Sequence, residues 1–368
     1  RPVPPCVGND EELETLAELY TTILSLEDEA LEALDDVGML SWMEQFNLPK
    51  GLESQICMNL NTLFVVPVDR LAASEAIFTM RQQAMGGAGR YSVGGYGRLA
   101  EACADYVVAH RGAYFPKRRV TRILVENGRA VGVDTDEGVL RAKAVVSNAG
   151  IQPTVLKLAG SASFPEEYIE RVKSLEPSWS IAGFRYVLDE RIFDAALIPV
   201  FSDQSWLDDA RYAGMERGDW PDVPLIAIDV PSEFDPSLSP VLGHQIANCQ
   251  VFCSPDPESG MPEEAVRRAE LVLDELWPDL KNHILRKEPY GPKAISGLSR
   301  DSVLPGHGGE AVGVAQVVGQ VGKSKPDART PLRGLYLVGC DAGGRGAGTH
   351  QAVDSGFNVA EMVKADLG

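Results

Sequence analysis

The sequence predicts an α/β fold in which a nucleotide-binding sheet domain is interwoven with a separate α+β layer, and three observations predict it. The chain ends in LYLVGCDAGGRGAGTHQAVDSGFNVAEMV, residues 335–363, an apolar strand followed by a glycine-rich loop and an amphipathic helix. A second glycine-rich stretch at residues 86–112 leads through a hairpin to the short apolar run Ala144–Val146. Residues 161–299 lie between these parts and change character, to alternating strands and longer helices. The chain therefore weaves between two domains, with boundaries expected at 1–85, 86–160, 161–299 and 300–368.

The totals bound the answer. With 368 residues, 44% hydrophobic and 24% charged, the chain is long enough for two domains and a sizeable core. Its formal charge of −19 speaks against nucleic acid as a partner, because no cluster of basic residues is available to neutralise phosphates. The same charge gives no help towards an anionic membrane surface. No apolar run of about 18 residues is present, so no integral membrane segment is expected, while peripheral contact stays open. The opening RPVPPCVGNDEELETL does not have the pattern of a secretory signal. Six cysteines, at 6, 57, 103, 249, 253 and 340, form no CxxC pair, which points to reduced thiols and a cytoplasmic setting. Cys249 and Cys253 are read as a buried pair, since no second ligand pair accompanies them.

Residues 10–46 carry helical spacing in Leu13, Leu16, Leu19, Tyr20, Ile23, Leu24, Leu31, Leu34 and Leu40, with acids on the opposite positions. Pro49 and Gly51 break it, and apolar helical stretches run on to about Met85. In GGAGRYSVGGYGRLAEACADYVVAHRG a helix follows the glycines. Leu99, Cys103, Tyr106 and Val107 are spaced to face one core, and Gly112 is a natural stop. Asn127-Gly128 between alternating apolar runs is a strong hairpin signal, and Asp136-Glu137-Gly138 leads to a third strand. Ala144-Val145-Val146 reads as a buried parallel strand ending at a site edge. Further on, FPEEYIERVKSL and PEEAVRRAELVLDELWPDL are helices, the second with a proline in its first turn. SWSIAGFRYVLD and VPLIAIDVPSEFDP are strands, whose Trp179, Phe184 and Tyr186 are expected in the core.

In the tail, Leu335–Val338 is a buried parallel strand and the helix begins near Thr349, with Val353, Phe357, Ala360 and Met362 or Val363 as its apolar side. Glycines at 339, 343, 344, 346 and 348 let backbone approach a ligand where a Cβ would clash. The helix N-terminus, with unpaired N–H groups and a partial positive charge, suits phosphate oxygens or developing negative charge. Asp341 is placed to accept hydrogen bonds from sugar-type hydroxyls.

LYLVGCDAGGRGAGT resembles the C-terminal FAD-binding segment of phytoene desaturase-like flavoproteins, which include carotenoid desaturases and isomerases and retinol saturases. VGGYGRLAEACADYVVAHRGAYFPKRRVTRILVENGRAVGVDTDEGVLRAKAVVSNAG is similar to the central stretch of that family. AVGVAQVVGQVGKSKPDARTPLRGLYLVG is similar to its lead into the last motif. The resemblance implies an FAD/NAD(P)-binding Rossmann-like domain interwoven with a substrate domain, made of residues 1–85 and 161–299.

The resemblance further implies that Val120 contacts adenine through its backbone, and that Asn148 and Ala149 lie on the pyrophosphate side. Asp341 holds the ribityl or pyrophosphate region, Gly339 is a further cofactor-binding position, and Gly343, Gly344, Gly348 and Thr349 set the last helix against the flavin. Arg345 faces either the flavin or water. His350, just inside the helix, is read as packing or capping with proton transfer as the alternative, and Cys340 as a small packed residue. No residue is singled out as a general base.

The family opens with strand–GxGxxG–helix, and residues 1–85 contain no such unit. The Rossmann-like domain is therefore expected to be incomplete at the N-terminus, with the unit lying in a missing N-terminal segment or in a partner chain. The function implied is an FAD-dependent oxidoreductase that moves hydride between an apolar, unsaturated small-molecule substrate and flavin. One alternative is a non-catalytic chain or half-enzyme needing a partner for FAD. Another is an amine oxidase-like flavoprotein, against which stands the absence of aromatic residues from AGGRGAGTHQ.

Overall fold

The structure, a computed structural model, describes residues 9–86, 91–239 and 241–368. Cys6 and residues 87–90 of the central glycine-rich stretch lie outside the described residues. The opening third is helical, as its periodicity predicts. Asn9 caps the helix Asp10–Ser25 by accepting a bond from the Glu12 amide at 2.9 Å. The helices Lys50–Phe64 and Ala73–Gly86 follow. Leu19, Ile23, Leu31, Leu52, Leu60, Phe64 and Ile77 form one buried cluster with Met39 and Trp42. Leu13 and Leu24, expected on the same side, point outward at 53% and 47% exposure.

The middle stretch behaves locally as read. The helix Gly97–Ala109 ends where the Gly112 amide donates back to Val107 at 2.9 Å. Its apolar side is a correction: Leu99, Tyr106 and Val107 are 46–65% exposed and Cys103 is exposed, Tyr106 stacking on His110 at the end of its own helix and not entering a core. Strands β1 (Val120–Glu126), β2 (Arg129–Thr135) and β3 (Gly138–Arg141) form an antiparallel meander. Asn127 at φ 50° and Gly128 at φ 69° make the turn between β1 and β2 with both central residues left-handed, the geometry that matches strand twist.

Strand β4 (Val145–Ser147) runs on to Gly150, and the chain then crosses to the larger sheet. That sheet comprises β5 (Ser180–Leu188), β6 (Leu197–Val200), β7 (Ile226–Asp229), β8 (Gln245–Cys253) and β9 (Ile284–Tyr290) in the order β6-β7-β8-β5-β9, antiparallel throughout. On one face the helix Met261–Leu276 packs Ala265, Ala269, Val272 and Leu273 against the strands. Trp179, Phe184 and Tyr186 are buried there, in the core as expected. Cys249 and Cys253 are buried in the same cluster, their thiols pushed up by burial, and no metal-holding group occurs among the described residues.

Strand β10 (Leu335–Leu337) returns to pair in parallel with β4, Tyr336 opposite Val146. The outer edge of β10 is covered by the loop before it, Leu337 donating to the Ala328 carbonyl at 2.8 Å. The other edge of β4 carries no strand among the described residues. Val145 is buried and Val146 is 46% exposed, so the strand read as buried is buried on one face only.

Gly183 faces the Cys249 carbonyl of β8 with no room for a Cβ, whereas Gly356, inside the last helix, meets nothing within 4 Å. Gly183→Ala is therefore expected to lower unfolding free energy by about 1–3 kcal/mol through overpacking. Gly356→Ala should raise it by about 1 kcal/mol, the helix-propensity gain. Denaturant unfolding of the two variants checks the opposite signs.

Candidate cofactor site

Parallel strands end together, so the residues after β4 and β10 meet at one edge. Asn148, Ala149, Arg300, Gly313, Cys340 and Asp341 line a cleft of about 160 Å³ there. Asp341 is buried, and protein groups occupy its carboxylate. Oδ2 accepts from the Ile151 amide at 2.8 Å, Oδ1 from the Val314 amide at 2.9 Å, and Arg300 forms an ion pair with it. Arg300 Nε lies 3.0 Å from Glu310 Oε1, and Glu310 Oε2 accepts from the Gly308 amide at 2.6 Å. Burial pulls the Arg300 guanidinium towards losing its proton, but Asp341 and Glu310 more than offset this and hold it charged. The oxygens of Asp341, read as hydroxyl acceptors, are held in this structure by a buried arginine and two backbone amides. Gly150 and Gly313, both with positive φ, are glycines because a Cβ would collide with Arg300 or Asp341.

The glycine loop is also held by protein. Side chains stand where a Cβ would go at Gly339 (Asn148) and Gly344 (Asp354), while Phe78 crowds Gly346 and Ser355 lies in ordinary contact range of Gly343. Arg345 turns away from the cleft, a second correction: it pairs with Asp35 at 2.8 Å and with Glu75 at 3.5 Å. The fully buried Glu75 also accepts from the Gly346 amide at 2.7 Å, and Lys325 donates to the Gly344 carbonyl at 2.6 Å. Burial pushes the Glu75 carboxyl up, against the pull of Lys325, the Gly346 amide and Arg345. Burial also pushes Asp35 up, but the hydrogen bonds from Arg345 outweigh it and leave its carboxyl low. A buried carboxylate needs a counter-charge, and Arg345 supplies it.

The helix Gly348–Leu367 begins as the tail predicts. Ala347 is extended and no side chain caps the first turn; Gly348, at φ 57°, meets nothing within 4 Å, and Thr349 and His350 are exposed. The first N–H groups of this 20-residue helix are therefore free of side-chain caps and carry the positive end of its dipole. Its buried side differs from the expected one. Val353 and Phe357 are 49% and 71% exposed, while Gln351, Ser355 and Val359 face inward. The reason is polar pinning: Ser355 Oγ donates to the Ala342 carbonyl at 2.9 Å and accepts from the Gly339 amide at 3.1 Å. Gln351 donates to the Gly344 carbonyl at 3.2 Å. Cys340 sits with its sulfur 3.6 Å from the Gly348 carbonyl, and burial pushes its thiol up, as for a packed residue.

Val120 lies at the start of β1, 37% exposed. Its neighbour Arg119 pairs with Asp301 at 2.5 Å, which brings the meander's end beside Arg300. Asn148, Ala149, Gly339 and the Gly348–Thr349 turn are thus gathered at the strand ends, with Val120 at the flank. The sequence reading missed Arg300, Glu310, Glu75 and Lys325; the glycine-flanked acid in HGGEAVG was the available signal for Glu310. As a test for a dinucleotide, the open first turn of the helix and the positive-φ glycines fit, whereas Asp341 and Arg345 are already engaged.

No protein-family model matches the chain. It is 30% identical over 298 residues to prolycopene isomerase 2, chloroplastic, of an Oncidium hybrid cultivar, covering 76% of this chain and 46% of that protein. It is 26% identical over 313 residues to pyridine nucleotide-disulfide oxidoreductase domain-containing protein 2 of Rattus norvegicus, covering 77% of this chain and 52% of that one. The chain is similar to prolycopene isomerases over about three quarters of its own length. It spans about half the length of the curated relatives it matches. An oxidoreductase from Methanosarcina mazei shares the fold with a TM-score of 0.69 at 19% identity, over 96% of this chain and 73% of that one. Putrescine oxidase bound to putrescine shares it with a TM-score of 0.63 at 12% identity, over 98% and 76%. These homologues bear out the resemblance seen in the tail motif, and the solved structures bear out the interwoven α/β fold.

Arg345→Met in this chain removes the counter-charge of two carboxylates. Glu75, whose carboxyl is raised, is cheapest to bury below its unfolded value and costs stability as pH rises through its folded one. Asp35, whose carboxyl is lowered, gives its stabilisation above its unfolded value and loses it as pH falls. Both signs make the variant's deficit grow with pH. It should approach about 3–5 kcal/mol at neutral pH, the cost of breaking a buried pair, and shrink in acid. Denaturant unfolding of native and variant chains across that range measures it.

Proposed function

We propose that this chain is the larger part of an FAD-dependent oxidoreductase of the phytoene desaturase-like kind, moving hydride between an apolar, unsaturated substrate and flavin. One observation carries the reading: an uncapped helix N-terminus stands at the carboxyl ends of a parallel strand pair, with the adjoining strand edge open. Backbone N–H groups without a side-chain cap at a positive dipole end are a ready anion site. The homology to prolycopene isomerases supports the choice of an apolar substrate.

Residue roles follow from position. The amides of Gly348 and Thr349 face the flavin, where negative charge is held when the ring is reduced. Asn148, Ala149 and Gly339 border the pyrophosphate side, and Val120 meets the adenine. Asp341, through Ile151, Val314 and Arg300, positions the two strand ends and touches no ligand. Gly343, Gly344 and Arg345 fix the loop from behind. The bound flavin supplies the hydride chemistry, and the protein supplies orientation, electrostatics and exclusion of water. The five-stranded sheet with the opening helices forms the substrate domain.

The open edge of β4 favours one further point: the cofactor is completed jointly with a strand–GxGxxG–helix unit seated on that edge, from this polypeptide or another. The unpacked Leu99, Tyr106 and Val107 and the outward Phe357 supply apolar surface for such a seat.

Thr349→Glu separates a ligand role from a structural one. A carboxylate in the first helical turn should leave the fold unharmed or stabilise it by about 0.3–1 kcal/mol. The same charge repels phosphate and reduced flavin, so FAD affinity, read by quenching of flavin fluorescence on titration, should fall about tenfold or more. Saturable FAD binding indifferent to this change, or no FAD binding at all, contradicts the reading.

A further inference from the structure

A second cavity, of about 330 Å³, lies between the helix Glu166–Ser174 and residues 319–326, and it shares no lining residue with the cofactor cleft. Its size is at the lower end for small-molecule pockets, roughly 300–1,000 Å³. Ile151, Val172 and Leu175 make part of the wall apolar. Arg171, Lys323 and Lys325 bring three cations to the rest, and no carboxylate among the described residues lines it. In a chain of net charge −19 such a balance is unexpected.

These cations are not spent on acidic partners. Arg171 Nη2 donates to the Gly319 and Ser324 carbonyls at 2.9 and 2.8 Å, which fastens helix to segment and uses one nitrogen of the guanidinium. Lys325 donates to the Gly344 carbonyl at 2.6 Å, and Lys323 makes no hydrogen bond or ion pair among the described residues. Carboxylates nearby are committed elsewhere. Asp35, close enough for Lys323 to help hold its charge, is paired with Arg345, as is Glu75, while Glu176 is paired with Arg70. Asp327 accepts from the Arg329 amide at 2.8 Å and lines the neighbouring cavity. Burial pulls the Lys325 ammonium towards losing its proton, with Glu75 the largest opposing influence, so a further anion beside it relieves a cost already present.

The wall also holds an unanswered donor. Tyr168 is half-buried in it, and its hydroxyl is buried with no hydrogen-bond partner among the described residues. Burial, and after it Asp327, pushes that hydroxyl up, so it keeps its proton and remains able to donate. Leaving a buried donor unpaired is costly, and an acceptor on a ligand removes the cost.

We propose that this cavity binds a phosphate group, free or esterified to a small organic body. The proposal stands apart from the flavin reading. The Nε–H and Nη1–H groups left on Arg171 and the Tyr168 hydroxyl are donors for phosphate oxygens, and the two lysines supply charge for a dianion. A carboxylate, with one charge and two oxygens, leaves part of this set unmatched. The apolar part of the wall suits the body of an ester. Lys325 joins this site to the glycine loop, since the same ammonium holds the Gly344 carbonyl.

The test is a calorimetric titration of the full chain with inorganic phosphate, phenyl phosphate and acetate, without flavin and at an ionic strength held constant with sodium chloride. Phosphate should bind saturably at one site, with acetate about tenfold weaker or more. Lys323→Gln, which alters a side chain with no protein partner, should weaken phosphate about tenfold, the worth of a hydrogen bond to a charged group, and leave denaturant unfolding in chloride unchanged. Tyr168→Phe should weaken phosphate several-fold while leaving the empty protein no less stable, because the unpaired hydroxyl is gone. Thr349→Glu, at the cofactor helix, should not alter phosphate affinity. Tighter binding of phenyl phosphate identifies an ester as the ligand, and equal affinities identify free phosphate. Absence of saturable phosphate binding, binding indifferent to Lys323→Gln, or binding lost with Thr349→Glu overturns the proposal.

Discussion

The buried knot of Asp341, Arg300 and Glu310 fixes where everything else in the site stands. Asp341 follows the last strand, Ile151 follows β4, and Val314 belongs to the segment leading back from the larger sheet. One carboxylate takes hydrogen bonds from the last two and pairs with Arg300, so three stretches far apart in sequence are set at fixed angles. Such a buried ion pair gains little net stability over a well-packed apolar equivalent, because taking charges out of water is costly. Its contribution is geometry. The knot ties the ends of β4 and β10 and the segment at Val314 to one another, at the edge where the glycine loop begins.

A second electrostatic fastening works from the other side. Glu75, on the helix Ala73–Gly86, and Asp35, in a turn between the opening helices, hold Arg345 and the Gly346 amide, while Lys325 takes the Gly344 carbonyl. The glycine loop is thus clamped between the helices, the segment before β10 and the last helix. This explains why so many of its glycines abut protein: close backbone approach is needed for the clamp, and Gly348 alone of them faces open space. Pre-organisation of the helix N-terminus follows, since amides already fixed in direction need no rearrangement to meet negative charge.

What the sequence disclosed and what it hid divide along physical lines. Asn127-Gly128 disclosed its hairpin because the turn depends on two residues and their φ alone. The tail disclosed strand, loop and helix because each is set by local composition. The partners of Arg345 stayed hidden, since Glu75 and Asp35 are 270 and 310 residues away and no periodicity encodes such a pair. The inward side of the last helix was misjudged because Gln351 and Ser355 face in to make hydrogen bonds, so hydrophobic spacing pointed the wrong way. The helix Gly97–Ala109 was misjudged differently. Its apolar residues have helical spacing, yet Leu99, Tyr106 and Val107 stay exposed, so spacing alone did not tell whether a core lies against that side.

The central claim is that the amides opening the last helix, at the ends of β4 and β10, receive the cofactor. Backbone hydrogen–deuterium exchange with and without FAD addresses it most directly, because it reports on those amides themselves. The account predicts that FAD slows exchange at Gly348–Gln351 and around Asn148–Gly150, while the outer strands of the larger sheet are unchanged. Unaltered exchange at Gly348–Gln351 in protein saturated with FAD would contradict it.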